Sequence, residues 1–126
     1  MKKLILALLL SSAPALAEWT RVDVNEDLDA YVDRATVHKQ ENMVNIGVMV
    51  DYKTAQQWTD YLLYWSLITQ KQFDCDARKV HTLDSLLYSE RMGRGSNVYT
   101  VPGGASWRPV PAEGVDATFW KAACKQ

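Results

Sequence analysis

The chain has 126 residues, 48% of them hydrophobic, and a formal charge of −1, which suffices for one buried core and not for two. Mild acidity without a basic cluster excludes nucleic acid and anionic membranes as expected partners. Beyond the first residues no apolar run approaches the about 20 residues a membrane-spanning helix needs, and there is no repeat or low-complexity tract.

The N-terminus has three zones in order. Lys2 and Lys3 form a positive start, Leu4 to Leu10 is unbroken apolar sequence, and Ser11, Ser12 and Pro14 break it before Ala15-Leu16-Ala17, a small-x-small cleavage motif. The apolar stretch is short for an uncleaved anchor, the competing reading. Residues 1 to 17 are therefore predicted to be a cleavable signal peptide, cut after Ala17, and residues 18 to 126 a single exported domain. No cysteine stands at the cleavage site to carry a lipid, so the expected product is periplasmic or secreted, soluble, and not a lipoprotein. Loss of Lys2 and Lys3, in a segment without acids, takes the charge from −1 to −3.

Trp19 to Val24 and Asp29 to Asp33 are short β-prone runs separated by the turn residues Asn25-Glu26-Asp27. Ala35 to Gln40 is predicted to form a hairpin, through Glu41-Asn42, with Met43 to Tyr52. In that segment Val44, Ile46, Val48, Val50 and Tyr52 share one face and Asn45, Gly47 and Asp51 the other, the period of a strand with one buried face. Residues 54 to 69 fit two periods. Trp58, Tyr61, Leu62 and Trp65 have helical spacing behind Thr54 as a cap, whereas Tyr61, Leu63, Trp65, Leu67 and Phe73 alternate as a strand ending at Cys75. Aromatic and β-branched density favours a strand from Tyr61, with 54 to 60 read as a loop or short turn.

Lys79 to Met92 is predicted as a strand covered on both faces for part of its length. Gly93-Arg94-Gly95 is the turn into a strand over Asn97 to Val101, and Pro102-Gly103-Gly104 is a second break. Pro109, Pro111 and Gly114 keep the chain irregular until Asp116 caps a helix running to Lys125, with Phe119, Trp120 and Ala123 on its apolar side. The predicted fold class is α+β, mainly β: an antiparallel meander of about six strands with one C-terminal helix.

The two cysteines are an even pair in an exported domain and lack CxxC spacing, so Cys75 and Cys124 are predicted to form a structural bridge rather than a redox pair or metal site. Closing a loop of about 50 residues contributes about 4 kcal/mol in the chain-entropy treatment.

Nothing in the sequence points to catalysis. His38 and His81 lie in predicted strands with no nucleophile or acid at useful spacing, and Gly93-Arg94-Gly95 lacks the Gly-Lys-Ser/Thr ending of a phosphate loop. The acidic residues Asp23, Glu26, Asp27, Asp29 and Asp33 fit no EF-hand and read as a solvated edge. No metal, cofactor or enzymatic activity is expected. Of five tryptophans, Trp19, Trp65 and Trp120 are assigned to the core. Trp58 and Trp107, in polar surroundings, are candidates for contacting a partner, with Arg91 and Arg94 as adjacent basic contacts.

Several features in order resemble one family: Trp19, Tyr31-Val32-Asp33, Asp51-Tyr52, Ser66, Phe73-Asp74-Cys75, Tyr88 before Met92-Gly93 and Gly95, Trp107, and Trp120 to Cys124. Together they are similar to the surface-adhesin protein E family of small exported Gram-negative domains. The resemblance implies a six-stranded antiparallel sheet with a disulfide-tethered helix, and supports 61 to 75 as a strand. It also implies binding of host matrix and plasma proteins and formation of a homodimer, although the lipobox cysteine of the lipid-anchored adhesin is missing. The two functional readings are thus a non-enzymatic protein-binding domain and a structural or stress-related periplasmic subunit or small chaperone.

Overall fold

The computed structural model describes residues 17–125; the predicted leader up to Leu16 lies outside them. Its strands are β1 (Trp19–Val24), β2 (Leu28–Gln40), β3 (Met43–Thr59), β4 (Leu62–Asp74), β5 (Lys79–Tyr88), β6 (Asn97–Val101) and β7 (Arg108–Pro109), followed by helix α1 (Val115–Cys124). β1 to β6 lie side by side in chain order, every pair antiparallel, as the predicted meander requires. The seventh strand was not anticipated. β6 covers the second half of β5, and β7 pairs with its first half through Lys79↔Pro109 and Val80↔Arg108. Pro109 fits there because an edge position requires no outward N–H.

The period-two pattern of β3 places Val44, Ile46, Val48 and Val50 in the main core with Ala30, Val32, Phe73 and Val80. α1 closes this core with Phe119, Trp120 and Ala123; full burial of Phe119 alone contributes about 2–3 kcal/mol. A helix of ten residues is marginal in isolation, so packing and tethers must hold it. The Cys75–Cys124 disulfide joins the end of β4 to the last turn of α1, and no described cysteine is free.

Asp116 does not cap α1. The N-cap is Gly114, without a side-chain hydrogen bond. Asp116 lies in the first turn and reaches the buried Lys71 ammonium at 3.0 Å, which also donates to the Thr82 hydroxyl at 2.8 Å. The need to neutralise a buried cation on the sheet face outweighs local capping.

Three further expectations are corrected. The runs Asp29–Asp33 and Ala35–Gln40 belong to one strand, β2, whose register with β3 shifts between Asp33 and His38. Residues 54 to 59 form neither loop nor helix: β3 continues to Thr59, with Gln56↔Tyr64, Gln57↔Leu63 and Thr59↔Leu62 paired to β4, and the turn is confined to Asp60 and Tyr61. The β5 strand stops at Tyr88 rather than Met92, and Arg91–Gly93 forms a 3-10 turn.

The second face of β3 is buried as well, contrary to its polar pattern. Met49 is 0% and Asp51 1% exposed. The β2 irregularity folds Thr36 over Gly47, whose N–H donates to the Thr36 hydroxyl at 2.9 Å; a Cβ at Gly47 would lie 2.8 Å from that oxygen. Asp33 is buried here and accepts from the N–H groups of Glu18 (2.9 Å) and Ala35 (3.0 Å). The acidic stretch is therefore not a uniformly solvated edge.

Candidate interaction surface

β3 outlasts its neighbour. The last β2 partner of β3 is Leu28↔Tyr52, and the Lys53 N–H still donates to the Asp27 carbonyl at 2.9 Å; beyond it the chain pairs with β4 alone, at Gln56, Gln57 and Thr59, and forms a two-stranded arm. Such a ribbon is marginal by itself in water. An edge-to-face contact of Tyr52 with Tyr64, ring centroids 5.8 Å apart, braces its base, and Trp58 stacks at a tilt on Tyr99 of β6 at 6.0 Å. The arm nevertheless leaves Trp58 45%, Tyr61 98% and Leu63 55% exposed, with Tyr99 at 44%. Large aromatics left in water on a projecting element, rather than scattered singly, are characteristic of a contact surface.

The arm also fixes a titration. Burial, and then the neighbouring Tyr64 phenol, push the Tyr52 hydroxyl up to about 12. The folded state favours neutral Tyr52, so its contribution to stability is complete below the ordinary value near 10 and is lost as pH rises through about 12. An alkaline absorbance titration is expected to show one late phenolate step that Tyr52→Phe removes. All tyrosines ionising together near 10 would contradict this environment.

Beside the base of the arm lies a groove of about 390 Å³ lined by Trp65, Ser89, Glu90, Arg91, Met92 and Arg94. Its wall is set by a polar pair on the second face of the sheet. Asp51 and Ser66 are cross-strand partners. The Asp51 carboxylate accepts from Arg91 Nη2 at 2.8 Å, Arg91 Nε at 3.1 Å and the Met92 N–H at 2.9 Å. The Ser66 hydroxyl donates to the Glu90 carbonyl at 2.6 Å and accepts from the Gly93 N–H at 2.9 Å. Met92 is held at φ 60° and Gly93 at φ 69°. A Cβ at Gly93 would fall 2.6 Å from Ile68 Cδ1, the end of a side chain that can turn aside, so it is the positive φ that favours glycine there.

The candidate residues fall into different places. Arg91 is engaged with Asp51 and, at 3.4 Å, with Asp29, and its hydrogen bonds to Asp51 raise its guanidinium above the ordinary range. Arg94 lines the groove with no ion pair among the described residues. Trp58 joins the aromatic arm, whereas Trp107, 37% exposed, lies against His81 with ring centroids 5.4 Å apart. His81 is six residues along β5 from Leu87, the register partner of Tyr99, about 20 Å at the strand rise. Its two ring nitrogens meet Gln72 Oε1 and the Gly104 carbonyl, and His38 is exposed. Trp19 and Trp65, assigned to the core, are only partly buried, and Trp120 is buried. Tyr61, Leu63 and Tyr99 were not singled out as surface residues, because alternation with apolar neighbours made them look like ordinary strand positions.

The described residues contain no helix long and apolar enough to cross a membrane. No curated protein sequence matches the chain. Its fold is similar to that of Haemophilus influenzae protein E. One crystal form (form II) aligns with a TM-score of 0.60 at 12% identity over 88% of this chain and 97% of that one. The protein from a non-typeable strain aligns with a TM-score of 0.57 at 11% identity over 89% and 80%. The sequence model of surface-adhesin protein E matches residues 19–125, and the chain belongs to that family.

Proposed function

We propose that the chain is an exported, non-enzymatic adhesin-type domain that binds a host protein through the aromatic arm and the adjoining groove, after signal-peptide cleavage at Ala17. The observation carrying this reading is the exposure of Trp58, Tyr61 and Leu63 on a two-stranded arm, with the exposed Tyr99 of β6 stacked on Trp58. Rigid aromatics bury large area at little entropic cost and dominate binding energy where they occur at interfaces. Arg94 adds a cation at the rim, and family membership supports the class of partner.

The test is binding of the purified mature domain to immobilised matrix and plasma proteins, beside the Trp58→Ser/Tyr61→Ser double variant. Loss of two anchor aromatics is expected to weaken binding by about 30-fold or more with an unchanged melting temperature. Equal binding by the variant would remove the arm from the interface. If no host protein binds and an envelope protein co-purifies instead, the reading becomes that of a periplasmic subunit or small chaperone.

A further inference from the structure

A second concavity lies away from the arm, where α1 meets the first strands. It measures about 550 Å³ and is lined by Val22, Arg34, Thr118, Lys121, Ala122 and Lys125. Thr118, Lys121, Ala122 and Lys125 follow the three- and four-residue spacing of one helix face, while Val22 comes from β1 and Arg34 from β2. Arg34 of β2, Lys121 of α1 and Lys125 just past its end therefore share one groove, and none of the described residues that line it is acidic. None of the three makes an ion pair among the described residues, although Lys125 also lies 5.3 Å from the Trp120 ring centre. Asp116, the acid of the first turn of α1, is turned away to Lys71.

The negative end of the helix dipole accounts for a lysine in its last turn. It does not account for Arg34, which reaches the groove from the sheet. Like charges gathered in one groove repel each other and raise the local concentration of anions. In a chain of net negative charge such a concentration runs against the composition. The volume is that of a small-molecule site, and a guanidinium flanked by two ammonium groups suits tetrahedral oxyanions.

We infer that the groove between β1, β2 and α1 is an anion site that takes a small ligand carrying clustered phosphate or sulfate groups. Arg34 supplies directional N–H donors, Lys121 and Lys125 supply point charges, and Val22 and Ala122 form an apolar floor. The site is separate from the arm, so its test is independent of the proposed adhesin function.

The probe is inorganic pyrophosphate, titrated into the ¹⁵N-labelled mature domain and compared with sodium chloride at equal ionic strength. Saturable amide shifts confined to Val22, Arg34 and residues 118 to 125 are expected. Affinity should fall about tenfold for each of Arg34→Gln, Lys121→Gln and Lys125→Gln, the loss of one charge-assisted hydrogen bond. Lys39→Gln, on exposed β2, should bind as the parent does. Shifts that follow ionic strength alone, shifts spread equally over other exposed lysines, or unchanged affinity in the triple variant would each overturn the site. These side chains line the surface, so the melting temperature of each variant should match the parent, and a variant that unfolds is replaced by the Arg or Lys exchange at the same position.

Discussion

Replacing Cys75 and Cys124 together by serine is expected to lower the unfolding free energy by about 4 kcal/mol, the chain-entropy value for a loop of this length. Against a typical total of roughly 5–15 kcal/mol, that is a large share. The effect should be global rather than confined to the C-terminus. α1 covers the face of the sheet that holds Ile46, Val48 and Phe73, so a helix that detaches uncovers the core itself. The remaining attachments are Phe119, Trp120 and Ala123, the Lys71–Asp116 ion pair at 3.0 Å, and Arg78 stacked over Trp120 at 4.2 Å. Urea denaturation of parent and variant gives the free-energy difference. Hydrogen exchange at Phe119 and Trp120 reports whether the helix opens first. A variant with an unchanged midpoint would mean that packing alone holds α1.

The second large effect is expected at Asp51. Asp51→Ala removes the acceptor of three hydrogen bonds, two from Arg91 and one from the Met92 N–H. It leaves a backbone donor unsatisfied under the turn. Because the Arg91 side chain is 43% exposed, water rescues its charge, and the cost falls below that of breaking a fully buried pair, at about 3 kcal/mol. Asp51→Asn retains an acceptor for Met92 and loses the charge, so about half that cost is expected. A denaturation series over both variants and Arg91→Ala separates the contributions by a double-mutant cycle. Equal costs for Asp51→Ala and Asp51→Asn would show that the charge, not the backbone hydrogen bond, holds the turn. The same variants should loosen the groove, since Arg91 and Met92 line it.

Much of the scaffold is written in local pattern. Alternation from Val44 to Tyr52, turn residues at Asn25 and Glu41, the glycines after Met92 and the apolar side of α1 each depend on neighbours along the chain, and each was legible. The arm was not, because Trp58, Tyr61, Leu62 and Trp65 satisfy the helical spacing and the strand spacing alike. Only pairing across Gln57↔Leu63 and Thr59↔Leu62 chooses between them.

By itself the sequence determined a mainly antiparallel meander, the C-terminal helix and the Cys75–Cys124 bridge, since strand period, turn chemistry and an even cysteine count act over short range or admit one pairing. Tertiary structure decided the rest. Asp51 and Ser66 look like the wet face of their strands, and become buried because a turn some 25 to 40 residues away folds over them. Asp116 looks like a cap, and is drawn instead to Lys71 across the sheet. Exposure of the aromatic arm follows from where β2 begins, opposite Tyr52 of β3. A polar or aromatic side chain is assigned by the surface that arrives opposite it, and that surface comes from distant parts of the chain.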